Sequence, residues 1–227
     1  MWYTAFYMKN PWVIIGIICV ALFGGAIWYS GSSAEQYNEG LIETEHVKGN
    51  SEASVVLLEY SDLQCPACAA FQPALSSVLE AYGDNLRFEY RHFPLPIHPH
   101  SVEAAVASEA AAQQGKFFEF SDMLFERQQE WAGMAVPQTQ FVKYADELGM
   151  DVDLFRKQLR APNLKDKVQA QFNEARELGL TGTPTFFLNG KKMEMESYQD
   201  FITQIALAVN PETASSTNDE SGVTFGF

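Results

Sequence analysis

Hydrophobic positions change their period several times along the chain, and each change marks an element. Ser54 to Tyr60 reads Ser-Val-Val-Leu-Leu-Glu-Tyr, a β-branched and leucine-rich run suited to a strand buried on both faces. Phe71, Leu75, Val78, Leu79 and Tyr82 then recur at helical spacing as one apolar stripe. Leu86 to Arg91 alternates apolar with charged residues, which predicts a strand with one wet face. Pro94, Pro96 and Pro99 break the pattern, and from Ser101 it turns helical. Ser101 is placed to cap an Ala-rich helix that stops at Gly115. Further helical stretches run from Phe117 to Gln129, Phe141 to Leu148, Val152 to Leu159 and Leu164 to Leu178, punctuated by Gly149, Pro162 and Gly179. Their aromatic and leucine stripes read as core. Thr181 to Leu188 gives a Gly/Pro turn and a short aromatic strand. Asn189-Gly190 is a hairpin turn into a partner strand, Lys191 to Met195, and Phe201 to Val209 closes the domain as a helix.

The two ends read differently. Residues 1–34 carry one charged side chain, Lys9, and Trp12 to Tyr29 carries none. As a helix that run would be about 27 Å long, enough for a bilayer core, with Trp12 and Trp28-Tyr29 as interfacial aromatics. The expectation is a cytoplasmic stub and a single transmembrane helix within 1–34, retained because the run exceeds a usual signal-peptide core. The rival is cleavage near Ser32-x-Ala34. Cys19, preceded by Ile18, lacks a lipoprotein signature and reads as an apolar residue in lipid. Residues 35–51 read as a polar linker, 52–209 as the domain proper, and 210–227 as a disordered tail. The formal charge of −14, with scattered lysines and arginines, argues against nucleic acid and anionic lipid as partners.

Where the buried strand gives way to the helix stands Cys65-Pro66-Ala67-Cys68. At a helix start, unpaired N–H groups and the macrodipole favour a thiolate, the species that attacks disulfides. A structural disulfide would close almost no loop across this spacing. A zinc site lacks a second ligand pair, since Cys19 lies far upstream and His98 and His100 are separated by a single residue. Two unrelated buried thiols are the remaining alternative. Strand, Cys-x-x-Cys and helix together favour redox chemistry. No cysteine or carboxylate cluster accompanies His92, His98 and His100 in sequence, so they read as loop-capping or groove residues, and no metal or cofactor is expected.

With Thr183-Pro184 ahead of the aromatic strand, the chain resembles the DsbA-like thiol–disulfide oxidoreductases of the thioredoxin superfamily. Tyr60-Ser61-Asp62, Pro73 and Arg91-His92-Phe93-Pro94-Leu95 also match, and the resemblance spans about residues 50–209. It implies an α/β thioredoxin fold with a helical subdomain inserted at about 98–180. It further implies a cis-proline at Pro184 beside the cysteine pair, Cys65 as exposed nucleophile and Cys68 as buried resolving thiol. Thr183, Pro66 and Ala67 would meet substrate, and Glu59 would be a buried acid that moves protons for Cys68. The expected activity is disulfide exchange with reduced or misoxidised extracytoplasmic proteins, most favourably as a dithiol oxidase. Reoxidation would fall to a membrane quinone reductase of the DsbB or VKOR type. Ala67 stands where strongly oxidising members carry histidine, so a reductase or isomerase is the alternative, and a tethered chaperone-like module the third reading.

Overall fold

The computed structural model describes residues 11–211, with side chains for all of these except 27–35. Its centre is β2 (Val55–Ser61) in a five-stranded sheet whose order runs from β1 (Val47–Gly49) through β3 (Leu86–His92), β2 and β4 (Thr185–Leu188) to β5 (Lys191–Lys192). β2 pairs in parallel with β3 (Leu86–His92), and the crossover between them is α2 (Pro66–Tyr82). β4 (Thr185–Leu188) runs antiparallel to β2 on its other side. The two inner registers align Glu59 with Tyr90 on β3 and with Phe186 on β4. β5 (Lys191–Lys192) is the hairpin partner of β4, and its turn holds Asn189 and Gly190 at φ 49 and 76. That is the left-handed pair a tight hairpin requires.

Period-2 alternation sends Val55, Leu57, Glu59 and Ser61 to one face of β2. There Leu57 joins the main core with α2 and with α9 (Tyr198–Val209), and Phe71 packs its ring 4.8 Å from that of Phe201. Tyr60 points the other way and packs with Phe93, Ala175 and Leu180. Between β3 and β4 lie α3 (Ser101–Ala112), α4 (Phe117–Glu126), α5 (Gln128–Trp131), α6 (Gln138–Glu147), α7 (Val152–Gln158) and α8 (Pro162–Glu177). Nearly every side chain of α3 is buried. Its alanines let α4, α6, α7 and α8 approach from several sides, as an all-round apolar helix must allow.

Several expectations change on contact with the structure. Ser101 does not cap α3: it is the first helical residue, and its hydroxyl donates to the carbonyls of Leu95 and His98. The stretch from Phe117 splits at Arg127 into α4 and α5. Within the segment read as a linker, Val47–Gly49 forms β1, antiparallel to β3 at the sheet edge. A side chain on Gly49 would lie 2.3 Å from the Leu86 carbonyl, so the close approach of β1 requires glycine there.

The N-terminal expectation is corrected. Helix α1 (Pro11–Asn38) runs without a break from the apolar stretch into polar residues. Asn38 at its end exchanges hydrogen bonds with Asn163 at the start of α8. Among the described residues no helix is long and apolar enough to cross a membrane. The transmembrane helix, and the membrane anchoring that rested on it, are therefore not supported. Residues 1–10 of the segment expected to hold the stub and anchor, and residues 212–227 of the expected tail, lie outside the described residues.

Candidate active site

Cys65 is the N-cap of α2, with extended backbone (φ −73, ψ 121) and Pro66 as the first helical residue. The helix thus starts with unpaired N–H groups at the Cys65 sulfur. Both cysteines are thiols here. Cys65 keeps 6% of its surface exposed and Cys68 none, so the expectation of an exposed Cys65 is corrected: both thiols are buried, Cys68 the more completely. Pro66 and Ala67 are exposed beside them. Hydrogen bonding from the Cys68 thiol, above all, holds the Cys65 pKa down to about 5; burial opposes this, while the Thr183 side chain and the backbone N–H groups of Cys68 and Ala67 assist. Burial, the Cys65 sulfur and the Glu59 charge push the Cys68 thiol well above its usual range. One cysteine is poised as a thiolate and the other as a thiol.

The Thr183–Pro184 peptide is cis, as the resemblance implied. Cys65 Sγ lies 3.6 Å from the Thr183 carbonyl oxygen, so the loop before β4 adjoins the sulfur. Both Thr183 and Pro184 are half-buried.

Glu59 is completely buried, and neither carboxylate oxygen has a hydrogen-bond partner among the described residues. Burial raises its pKa to about 7; the neighbouring Ser61 hydroxyl opposes the rise and the Cys65 charge adds to it. Glu59 in turn raises the pKa of Cys68, so the two share one buried space.

A cradle that the sequence pattern did not disclose fixes the segment ahead of Cys65. Asp62 Oδ1 accepts from the Gln64 N–H, and its Oδ2 accepts from the Leu95 N–H and faces His98 Nδ1 at 2.7 Å. Gln64 Oε1 accepts from the His100 N–H, and Gln128 donates to the carbonyls of Leu63 and Cys65. The histidines of the proline-rich loop thus meet the active-site turn. His98 does so through its ring, and His100 through its backbone.

His92 belongs elsewhere. With His46 and Glu109 it forms the one group among the described residues whose donors could hold a metal ion. Glu109 Oε1 lies 2.7 Å from His46 Nε2 and 3.3 Å from His92 Nε2. The Lys167 ammonium sits 2.8 Å from Glu109 Oε2 and 3.3 Å from His46 Nε2. A cation is therefore already seated against these donors, and a metal would have to displace it. The histidines hold the Glu109 carboxyl well below the usual carboxylate range against the opposing effect of its burial. Burial also takes His46 down to about 4. The cluster pins the residues before β1 to α3 and α8 and makes no contact with the cysteines in the described interactions. His46 and Glu109 lie far apart in sequence, which is why no local spacing announced them.

The architecture is a thioredoxin fold, with a helical layer inserted in the sheet order before the proline loop. The family described as Thioredoxin matches residues 42–206, and the chain belongs to it. Solved structures with the same fold include a thioredoxin-like oxidoreductase of Silicibacter pomeroyi DSS-3 (TM-score 0.60, 26% identity, 80% of this chain and 96% of that one). BdbD of Bacillus subtilis in its oxidised form follows (TM-score 0.64, 21% identity, 76% and 94%). Wolbachia pipientis α-DsbA1 is a third (TM-score 0.65, 21% identity, 80% and 99%). Among curated proteins the chain is 40% identical over 155 residues to Na(+)/H(+) antiporter NhaA 1 of Mycobacterium sp. (strain KMS), covering 66% of this chain and 24% of that protein. It is 38% identical over 151 residues to Na(+)/H(+) antiporter NhaA of Herminiimonas arsenicoxydans, covering 66% and 23%. The chain spans about a quarter of the length of these curated relatives.

Proposed function

We propose that the chain is an extracytoplasmic thiol–disulfide oxidoreductase that works through Cys65 and Cys68, running most favourably as a dithiol oxidase. The observation that carries this reading is the asymmetry of the pair: Cys65 at about 5 and Cys68 well above 9. A substrate thiolate attacks Cys65 Sγ of the oxidised pair, forming a substrate–Cys65 bond and breaking the Cys65–Cys68 bond. Cys68 leaves with the electron pair and takes a proton from Glu59. A second substrate thiolate then attacks the substrate sulfur and expels Cys65 as a stable thiolate. Two electrons pass from the substrate dithiol to the pair; one proton ends on Cys68 and one in solvent. A thiolate of high pKa is a poor leaving group, so protonation by a buried acid matters most at Cys68. The half-buried Thr183–Pro184 loop beside the sulfur is placed to receive an extended substrate segment.

A low nucleophile pKa stabilises the reduced form and so favours oxidation of substrate. Ala67 supports the second reading, a reductase or isomerase, because it offers no imidazole to that thiolate. In the oxidase reading a membrane quinone reductase of the DsbB or VKOR type restores the disulfide. The antiporter activity named for the curated relatives is not carried over, since the chain matches only about a quarter of each. The test is a dithiol-peptide oxidation assay beside the equilibrium of the pair with a glutathione buffer. Fast oxidation, lost in Cys65→Ser, with a potential above that of thioredoxin supports the oxidase. A thioredoxin-like potential with rapid disulfide reduction assigns the reductase, and no exchange by the intact pair rejects both.

A further inference from the structure

The proline-rich loop after β3 forms one side of a cleft that disulfide exchange does not use. Its walls are mostly apolar: Pro94, Leu95 and Pro99 come from the loop, and Val168 and Phe172 come from α8. The cleft has a volume of about 380 Å³, within the range of roughly 300–1,000 Å³ in which proteins hold small organic ligands. Phe172 is half-buried, with its ring 5.5 Å from that of Phe93, so one aromatic wall is held in place.

Two side chains of the lining, His98 and Lys165, bring polar chemistry into this space. His98 Nδ1 lies 2.7 Å from Asp62 Oδ2, an oxygen that already accepts from the Leu95 N–H. A carboxylate only accepts, so Nδ1 carries the proton, and in the neutral ring Nε2 presents a lone pair. Nε2 has no hydrogen bond among the described residues, and the side chain is 16% exposed. Lys165 is exposed and forms no ion pair among the described residues. In a chain of net charge −14, no Asp or Glu among the described residues lines this cleft. An oriented acceptor, an unpaired cation and an aromatic wall therefore share one apolar space.

We propose that this cleft is a binding site for a hydroxyaryl carboxylate: the phenol donates to His98 Nε2, the ring lies against Val168 and Phe172, and the carboxylate meets the Lys165 ammonium. The acceptor selects for the hydroxyl, because a ring without one covers Nε2 and leaves it unpaired. Asp62, whose carbonyl accepts from the Cys65 N–H, holds the same imidazole. An occupant is thus joined to the active-site turn through His98 and Asp62, while Cys65 itself does not line the cleft. A free hydroxyphenyl acid and a peptide ending in tyrosine share this chemistry, and the test separates them.

The test uses the 227-residue chain. Binding of para-hydroxyphenylpropionate is followed by equilibrium dialysis, next to carbethoxylation of His98 located by peptide mapping. A ligand of this size should saturate the site with a dissociation constant of about 0.1–1 mM and protect His98 as it does so. Phenylpropionate, which lacks the hydroxyl, should bind about threefold to tenfold more weakly. The methyl ester, which lacks the charge, should lose about twofold to fivefold. His98→Leu should abolish the advantage of the hydroxyl, and Lys165→Met the advantage of the charge. Lys165 is exposed, so its variant decides the matter if His98→Leu does not fold. Acetyl-alanyl-tyrosine is the peptide arm: tighter binding than the free acid assigns the site to a peptide end, and weaker binding assigns it to a free acid. No saturable binding of either probe up to about 10 mM would overturn the site. So would binding that leaves His98 unprotected, or equal affinity for the acid, its ester and phenylpropionate.

Discussion

Two glutamates are fully buried among the described residues, and they have been treated in opposite ways. Glu109 faces His46, His92, Thr44 and the Lys167 ammonium, and its carboxyl stays ionised far into acid. Glu59 faces a thiol, a tyrosine and a small cavity, has no hydrogen-bond partner on either oxygen among the described residues, and its pKa rises to about 7. Burial disfavours both charges to begin with, so the difference lies in the partners. A buried carboxylate supplied with partners acts as a structural clasp, and one denied them is left ready to exchange protons. The asymmetry of the cysteines repeats this: Cys65 receives several donors at a helix start, and at Cys68 burial and the neighbouring charges outweigh the Ser61 hydroxyl.

Removing the two acids should separate those roles. Glu109→Leu strands the Lys167 ammonium and two buried histidines, and thermal or urea unfolding should show a loss of about 3 kcal/mol. Glu59→Leu removes a carboxyl with unmet hydrogen bonds and should be neutral or stabilising by about 1 kcal/mol. Comparable losses in both would break the contrast.

In activity the order reverses. Glu59→Gln should slow mixed-disulfide resolution by about 10²-fold, near 2.7 kcal/mol of barrier, with Cys65 alkylation unchanged. Glu109→Leu, measured at a temperature where it remains folded, should resolve at the parent rate.

Stability against pH sharpens the comparison further. Glu59 has a folded pKa of about 7 against an ordinary 4.5, so the folded chain holds a proton that the unfolded chain releases between those values. Its contribution is present below 4.5 and is lost as pH rises through 7. His46 runs the other way: with a folded pKa of about 4 against 6.5, its contribution is present above 6.5 and is lost as pH falls toward 4. Relative to the parent chain, Glu59→Leu should gain stability as pH rises from 4.5 to 7, and His46→Gln should gain as pH falls from 6.5 to 4. Each slope is bounded by about 1.4 kcal/mol per pH unit. Parallel difference profiles would mean that the two sites are not opposed.

The smallest effect is expected at the cradle. Asp62→Asn turns an acceptor into a donor against the Leu95 N–H, and should cost about 1 kcal/mol in an unfolding experiment.

What the sequence disclosed was local. The β2 run, the Cys65–Cys68 spacing, the Thr183-Pro184 turn and the Asn189-Gly190 hairpin each carry their signal within a few residues. So do the helix ends at Gly115, Gly149 and Gly179, where the positive φ demands glycine. What stayed hidden depends on distant partners. β1 has only 3 residues and no periodicity, and exists because β3 offers it an edge. His92 looked like a neighbour of His98, yet alternation on β3 sends it to Glu109 while His98 turns to Asp62. Tyr90 and Ser121 reach Glu59's cavity from β3 and α4, a juxtaposition no spacing encodes. The N-terminal run misled because an apolar stretch was read without the polar continuation of the same helix.

The central claim is that the helix start and the Cys68 thiol hold Cys65 as a thiolate at neutral pH. Thiolate absorbance of the reduced chain, titrated with Cys65→Ser as the blank, reads this directly. Half-ionisation near pH 5, moved upward in Cys68→Ala, is the predicted result. Half-ionisation near the ordinary thiol value of 9.0, or a signal that survives in Cys65→Ser, would contradict it.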